Sequence, residues 1–61
     1  MMYEKGQKFL VKHKRKGEFY AIAQDDFDTG DEWYPLADFY DGENLAVRRA
    51  LCEITPIENI R

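Results

Sequence analysis

The sequence predicts an all-β domain, and three observations lead there. Short runs rich in aromatic and β-branched residues recur, among them Phe9-Leu10-Val11, Phe19-Tyr20-Ala21-Ile22 and Trp33-Tyr34. Turn-forming stretches separate them: Lys14-Arg15-Lys16-Gly17, Asp28-Thr29-Gly30 and Asp41-Gly42-Glu43-Asn44. The chain has only 61 residues, which limits it to a single domain, residues 1–61, with a small core. Five short strands joined by tight turns suit a small closed or partly closed barrel.

The first strand is Lys8–His13, where side-chain alternation puts Phe9, Val11 and His13 on one face and Leu10 and Lys12 on the other. The second covers residues 18–24, with Phe19, Ala21 and Ala23 on one face and Tyr20 and Ile22 on the other. Lys14-Arg15-Lys16-Gly17 joins them as a hairpin, because Gly17 accepts the positive φ of a tight turn. Residues 25–31 read as a loop, since acids, Thr29 and Gly30 are poor core-strand material. β character resumes over residues 32–40, with Pro35 pointing to an edge strand or a bulge because it has no N–H for a ladder.

After the turn at Asp41-Gly42-Glu43-Asn44, two patterns overlap. Leu45, Ala46, Val47, Ala50 and Leu51 fit a short helix, whereas Ala50, Cys52 and Ile54 alternate as a strand. A strand over residues 49–54 is preferred, because the edge left open by the third strand needs a partner. Pro56 is expected to end it, and residues 57–60 to form one helical turn near the C-terminus. No repeat, low-complexity tract or linker divides the chain.

Charge is distributed unevenly around a formal net −3. Residues 1–16 carry six Lys and Arg against Glu4 alone, or +5; residues 17–43 carry nine acids and no Lys or Arg, or −9; residues 44–61 sum to +1. Such segregation points to partners rather than to fold. With 44% hydrophobic and 15% aromatic residues the chain is too rich in core formers to be disordered. No apolar run approaches the roughly 18 residues of a membrane span, no signal-peptide core follows the N-terminal Met-Met, and Cys52 has no second cysteine to pair with; a cytoplasmic protein is expected.

From Gly6 onward the pattern Gly-x-x-Phe-Leu-Val-x-His-x-x-x-Gly-x-Phe-Tyr-Ala-Ile-Ala resembles the opening hairpin of Src-homology-3-like barrels, the superfold that includes ribosomal KOW-type modules. The resemblance implies a five-stranded barrel of that kind, in which strands and loops often bind nucleic acid. The segment Asp25-Asp26-Phe27-Asp28-Thr29-Gly30-Asp31-Glu32-Trp33-Tyr34-Pro35 resembles short uncharacterised phage accessory proteins, a likeness that carries no activity.

Catalytic and metal chemistries find few footholds. Cys52 and His13 fall short of the four ligands of a structural zinc site, and Cys52 reads better as a small buried apolar side chain. The acidic loop fits no EF-hand register: starting at Asp26 places Asp31 where the glycine belongs, and starting at Asp25 puts Phe27 at a ligand position. Asp28-Thr29-Gly30 matches the active triplet of aspartic proteases, but those enzymes bury a carboxylate pair among apolar strands, whereas Asp25, Asp26, Asp31 and Glu32 crowd this one. There is no Gly-rich phosphate loop and no Ser-His-Asp arrangement. No catalysis, metal or cofactor is expected.

Binding remains, with two candidate surfaces. The acidic-aromatic middle offers Asp25, Asp26, Asp28, Asp31, Glu32, Trp33, Tyr34, Asp38 and Tyr40; its carboxylates would attract a basic protein surface and its rings would anchor the contact. The expectation is a phage-type accessory protein that inhibits a host nucleic-acid-handling or defence protein. The alternative is a nucleic-acid-binding module whose basic hairpin presents Lys8, Lys12, His13, Lys14, Arg15 and Lys16 to phosphates, with Phe9, Phe19 and Tyr20 interleaved. Homo-oligomerisation into a larger assembly is a third reading, since a second copy would bury the surplus aromatics.

Overall fold

A computed structural model describes residues 1–57. The strands are β1 (Met2–Tyr3), β2 (Lys8–His13), β3 (Gly17–Ala23), β4 (Phe27–Asp28), β5 (Trp33–Asp38), β6 (Asn44–Arg48) and β7 (Cys52–Ile57), with one 3₁₀ turn at Arg49–Leu51 between the last two. β6, β5, β3, β2 and β7 form a five-stranded antiparallel sheet in that order, and β1 pairs with β4 as a separate two-stranded ribbon. Thus β2, β3, β5 and β6 run as a meander, and β7 returns to lie beside β2. The fold is all-β, as the alternating runs predict.

The hairpin of β2 and β3 forms as expected. Phe9 pairs with Ala21 and Val11 with Phe19, so the predicted inner faces coincide, and Gly17 takes φ +80° at the turn. Elsewhere the chain departs from the expected pattern. Residues 25–31 are not all loop: β4 forms there because Phe27 turns inward and pairs with Tyr3, leaving it 3% exposed. β5 is shorter than residues 32–40, and it lies between β6 and β3 rather than at an edge. Pro35 is tolerated because its carbonyl accepts from Gln24 N (2.7 Å), which places its nitrogen on the β3 side, one step past the last ladder pair, Ala23 with Leu36.

Residues 44–48 are strand rather than helix. The expected strand over residues 49–54 begins only at Cys52, after the 3₁₀ turn, and runs through Pro56 to Ile57. Burial explains this. Val47 faces inward opposite Tyr34, whereas Arg48, Arg49 and Ala50 are exposed and have no core to enter. The helical turn expected over residues 57–60 falls outside the described residues, apart from Ile57, which closes β7.

The core gathers Phe9, Val11, Ala21, Ala23, Phe27, Tyr34, Leu36 and Val47. A chain of rings runs through it: Tyr3 meets Phe9 edge-on at 4.9 Å, Phe9 lies 5.7 Å from Phe27, and Phe27 lies 4.9 Å from Tyr34. The ribbon of β1 and β4 supplies Tyr3 and Phe27 to this chain, so it closes the open side of the five-stranded sheet. No polar or charged residue is buried among the described residues.

Candidate functional site

The acidic side chains do mostly local work. Asp25 accepts from the backbone N–H of Asp26 (2.8 Å), Asp26 from Lys5 (2.8 Å), Asp31 from Asp28 (3.0 Å), Asp38 from Tyr40 (2.8 Å) and Asp41 from Glu43 (2.8 Å). Four of these bonds fix turns, since a short carboxylate reaches amides one to three residues away, and the fifth ties Asp26 to Lys5 across 21 positions of the chain. Asp28 accepts from Gly30 N at 2.7 Å and from the Met1 ammonium at 3.0 Å, and these bonds hold its carboxyl below the ordinary 3.8. Asp28-Thr29-Gly30 is therefore a turn closed by its own aspartate. Among the described residues no three His, Cys, Asp or Glu converge on a cation-sized site.

β5 separates the expected acidic-aromatic residues into two groups. Asp25, Asp26, Asp28, Asp31 and Glu32 precede it, whereas Asp38 ends it and Tyr40 follows, about 17 Å away along a strand of six residues at the usual rise per residue. Trp33 begins the strand, 51% exposed, with the Arg48 guanidinium 5.2 Å from its ring and Glu32 3.5 Å from Arg48. Tyr34 does not belong to either surface. It is 4% exposed, pointing into the core because β5 alternates, and its hydroxyl donates to the Thr29 carbonyl at 2.7 Å.

Burial raises the Tyr34 phenol above its ordinary 10.0. The folded state therefore prefers the neutral hydroxyl. The stability this confers is complete below pH 10.0 and is lost as pH rises from there through the folded value. Tyr34→Phe is expected to lose about 1 kcal/mol at neutral pH. The gap between wild type and variant should then close in alkali; urea midpoints measured from neutrality to about pH 11.5 would show this. A gap that widens in alkali would contradict the assignment.

The basic residues also separate. Lys14, Arg15 and Lys16 are exposed together at the β2–β3 turn. His13 Nδ1 accepts from the backbone N–H groups of Arg15 (3.1 Å) and Lys16 (3.2 Å), so that nitrogen serves the turn and is closed to a ligand. Lys12 lies between Glu18 and Glu53 in the ladder, and Lys8 sits with its Nζ 5.0 Å from the Phe39 ring at the far end of β2.

That far end of β2 carries a cluster of exposed rings. β3 presents Tyr20, and the β5–β6 turn presents Phe39 and Tyr40, with exposures of 45%, 40% and 79%. Asp38 and Gly42 build the turn: Asp38 Oδ1 accepts from Tyr40 and Asp41, and Gly42, at φ +74°, donates to the Asp38 carbonyl at 3.0 Å. Phe39 N donates to the Tyr20 carbonyl at 3.1 Å, and the Phe39 and Tyr40 rings stand edge-to-face at 5.3 Å. Together with Lys8 and Ile57 these rings line an open groove of about 320 Å³, floored by Phe9 and Ala21. Across Tyr20 and Tyr40 lies a second hollow of about 370 Å³, bounded by Leu10, Phe19, Glu18 and Asp38. Tyr40 and Phe39 belong to the acidic-aromatic stretch of the sequence, whereas Tyr20 belongs to the basic hairpin. The signal for Phe39 and Tyr40 is the adjacency of two rings to a turn containing Gly42, where no core remains to take them; Tyr20 joins them from the outer face of β3.

Cys52 is half-buried; its thiol lies above the ordinary 9.0 because of burial, and Sγ donates to the Arg48 carbonyl at 3.3 Å. No helix among the described residues is long and apolar enough to cross a membrane. No protein-family model matches the chain, and no curated protein or solved structure matches it.

Proposed function

We propose that this chain is a non-catalytic interaction module that binds a protein partner of basic surface through the groove of Tyr20, Phe39 and Tyr40. The observation that carries the reading is that three aromatic rings stand 40–79% exposed around one groove. Exposed clustered rings are unfavourable in water and are the preferred anchors of protein interfaces. Glu18 and Asp38 line the adjoining hollow and Asp41 and Glu43 share the turn, against Lys8 alone, so the rim favours a cationic partner. A small Src-homology-3-like barrel is the proposed fold type, supported by the four-strand meander, the 3₁₀ turn before the last strand and the return of β7 beside β2. A phage-type accessory protein that inhibits a host nucleic-acid-handling or defence protein is the more specific form of the proposal, because such targets carry basic grooves. The nucleic-acid alternative is less well supported: three clustered exposed cations, Lys14, Arg15 and Lys16, neutralise few phosphates.

The test pairs two variants of the full chain in capture from lysate and in titration with single- and double-stranded oligonucleotides across a salt series. Phe39→Ser with Tyr40→Ser should abolish capture of a basic protein, while Lys14→Ala with Arg15→Ala and Lys16→Ala should leave it intact. Micromolar oligonucleotide binding with a steep negative salt slope, lost in the triple variant, would overturn the proposal.

A further inference from the structure

The two outer strands of the five-stranded sheet are β6 and β7, and they are not equally protected. Along a strand, successive backbone N–H and C=O groups point alternately to one neighbour and the other. Lys14 N donates to the Leu51 carbonyl, which fixes the phase on β7: Leu51, Glu53, Thr55 and Ile57 face β2, and Cys52, Ile54 and Pro56 face outward. That outer row is blunted. Pro56 has no donor, and Cys52 N–H is taken by the Arg49 carbonyl.

On β6 the phase is fixed at both ends, by Arg49 N to the Glu32 carbonyl at 2.9 Å and Asp38 N to the Glu43 carbonyl at 2.8 Å. Leu45 and Val47 therefore bond β5, and the backbone groups of Asn44, Ala46 and Arg48 face outward. Among the described residues the N–H groups of all three lack a protein partner, and the row contains no proline, lysine or inward-pointing charge. Of its outward carbonyls, that of Arg48 already accepts from Cys52 Sγ at 3.3 Å through one lone pair, and the row of donors is a template for strand addition.

We propose that the β6 edge pairs with β6 of a second copy of this chain, antiparallel about a two-fold axis at Ala46. Of the two-fold registers, only this one matches all three outward residues: Ala46 meets its own copy, and Asn44 meets Arg48 of the partner copy. Leu45 then faces Val47 across the seam, which joins the two inner faces. Just past the strand ends, Glu43 of each copy lies toward Arg49 of the other, the first residue of the 3₁₀ turn. Charge complementarity therefore selects a second copy: the segment Glu43-Asn44-Leu45-Ala46-Val47-Arg48-Arg49 is acidic at one end, basic at the other and uncharged between. The interface is separate from the aromatic groove, so this inference does not depend on the proposed function.

Sedimentation equilibrium of the full chain, from micromolar to millimolar concentration, tests the pairing. Wild type should show a concentration-dependent dimer. Ala46→Pro removes the central outward donor without touching a bond to β5, and should weaken the dimer about thirtyfold. Glu43→Lys should weaken it about fivefold, and Glu43→Lys with Arg49→Glu should restore it. A wild-type monomer at millimolar concentration, or a proline variant that dimerises like wild type, would overturn the inference. Hydrogen exchange on wild type makes the test independent of variant folding. Ala46 and Arg48 amides should gain protection with concentration while Val47 does not, and no such gain would equally overturn it.

Discussion

Phe27→Ala is expected to leave the chain largely unfolded at room temperature. Phe27 is 3% exposed and touches three other rings, Tyr3 and Phe9 at 5.7 Å and Tyr34 at 4.9 Å. Truncating a buried phenylalanine costs about 3–5 kcal/mol, the lost transfer free energy together with the cavity left behind. For 61 residues the whole folding free energy is on the order of 3–9 kcal/mol. The loss therefore matches a large share of the total. It should be aggravated because Phe27 pairs in register with Tyr3, so the ribbon that closes the core would loosen with it. Far-ultraviolet circular dichroism on heating would check this. A cooperative melt close to that of wild type would mean that β1 and β4 contribute little to the cooperative core.

Tyr40→Ala should have the opposite profile: no measurable loss of stability, and a large loss of binding. The ring is 79% exposed, and its placement rests on backbone bonds within the turn, which alanine retains. Surface replacements of this kind usually change stability by less than about 0.5 kcal/mol. As a central aromatic anchor its removal should cost about 2–4 kcal/mol of affinity, roughly thirtyfold to a thousandfold. Calorimetric titration of the captured partner, with a thermal melt of the same preparation, measures both quantities. Unchanged affinity would remove Tyr40 from the interface and with it the main support for the groove.

The hairpin of β2 and β3 was legible from sequence because both strands alternate cleanly and Gly17 marks the turn. Phe27 was not, since a two-residue strand has no periodicity, and its partner Tyr3 lies 24 positions away in the chain. Pro35 misled for a related reason. Its missing N–H forbids one ladder bond, and only the register with β3 shows that the ladder has already ended there. The 3₁₀ turn at Arg49–Leu51 was hidden between two competing patterns that burial alone decides.

For the site, residue types were readable and grouping was not. Acids and rings interleave in the middle of the sequence, yet alternation sends Tyr34 inward beside an exposed Trp33, and six residues of β5 part the rest. Tyr20 reaches the groove from a strand read mainly for its core face. Proximity in sequence to like residues is a weak guide where a sheet brings together the distant turns.

Five of the aspartates, Asp25, Asp26, Asp31, Asp38 and Asp41, serve as acceptors for nearby amides. The carbonyl oxygen of an asparagine accepts the same bond. Exchanging all five would carry the formal charge from −3 to +2 while preserving every one of those bonds. Backbone geometry and isoelectric point are thus separately adjustable in this scaffold. Close variants of the chain could share one architecture and yet be drawn to oppositely charged surfaces.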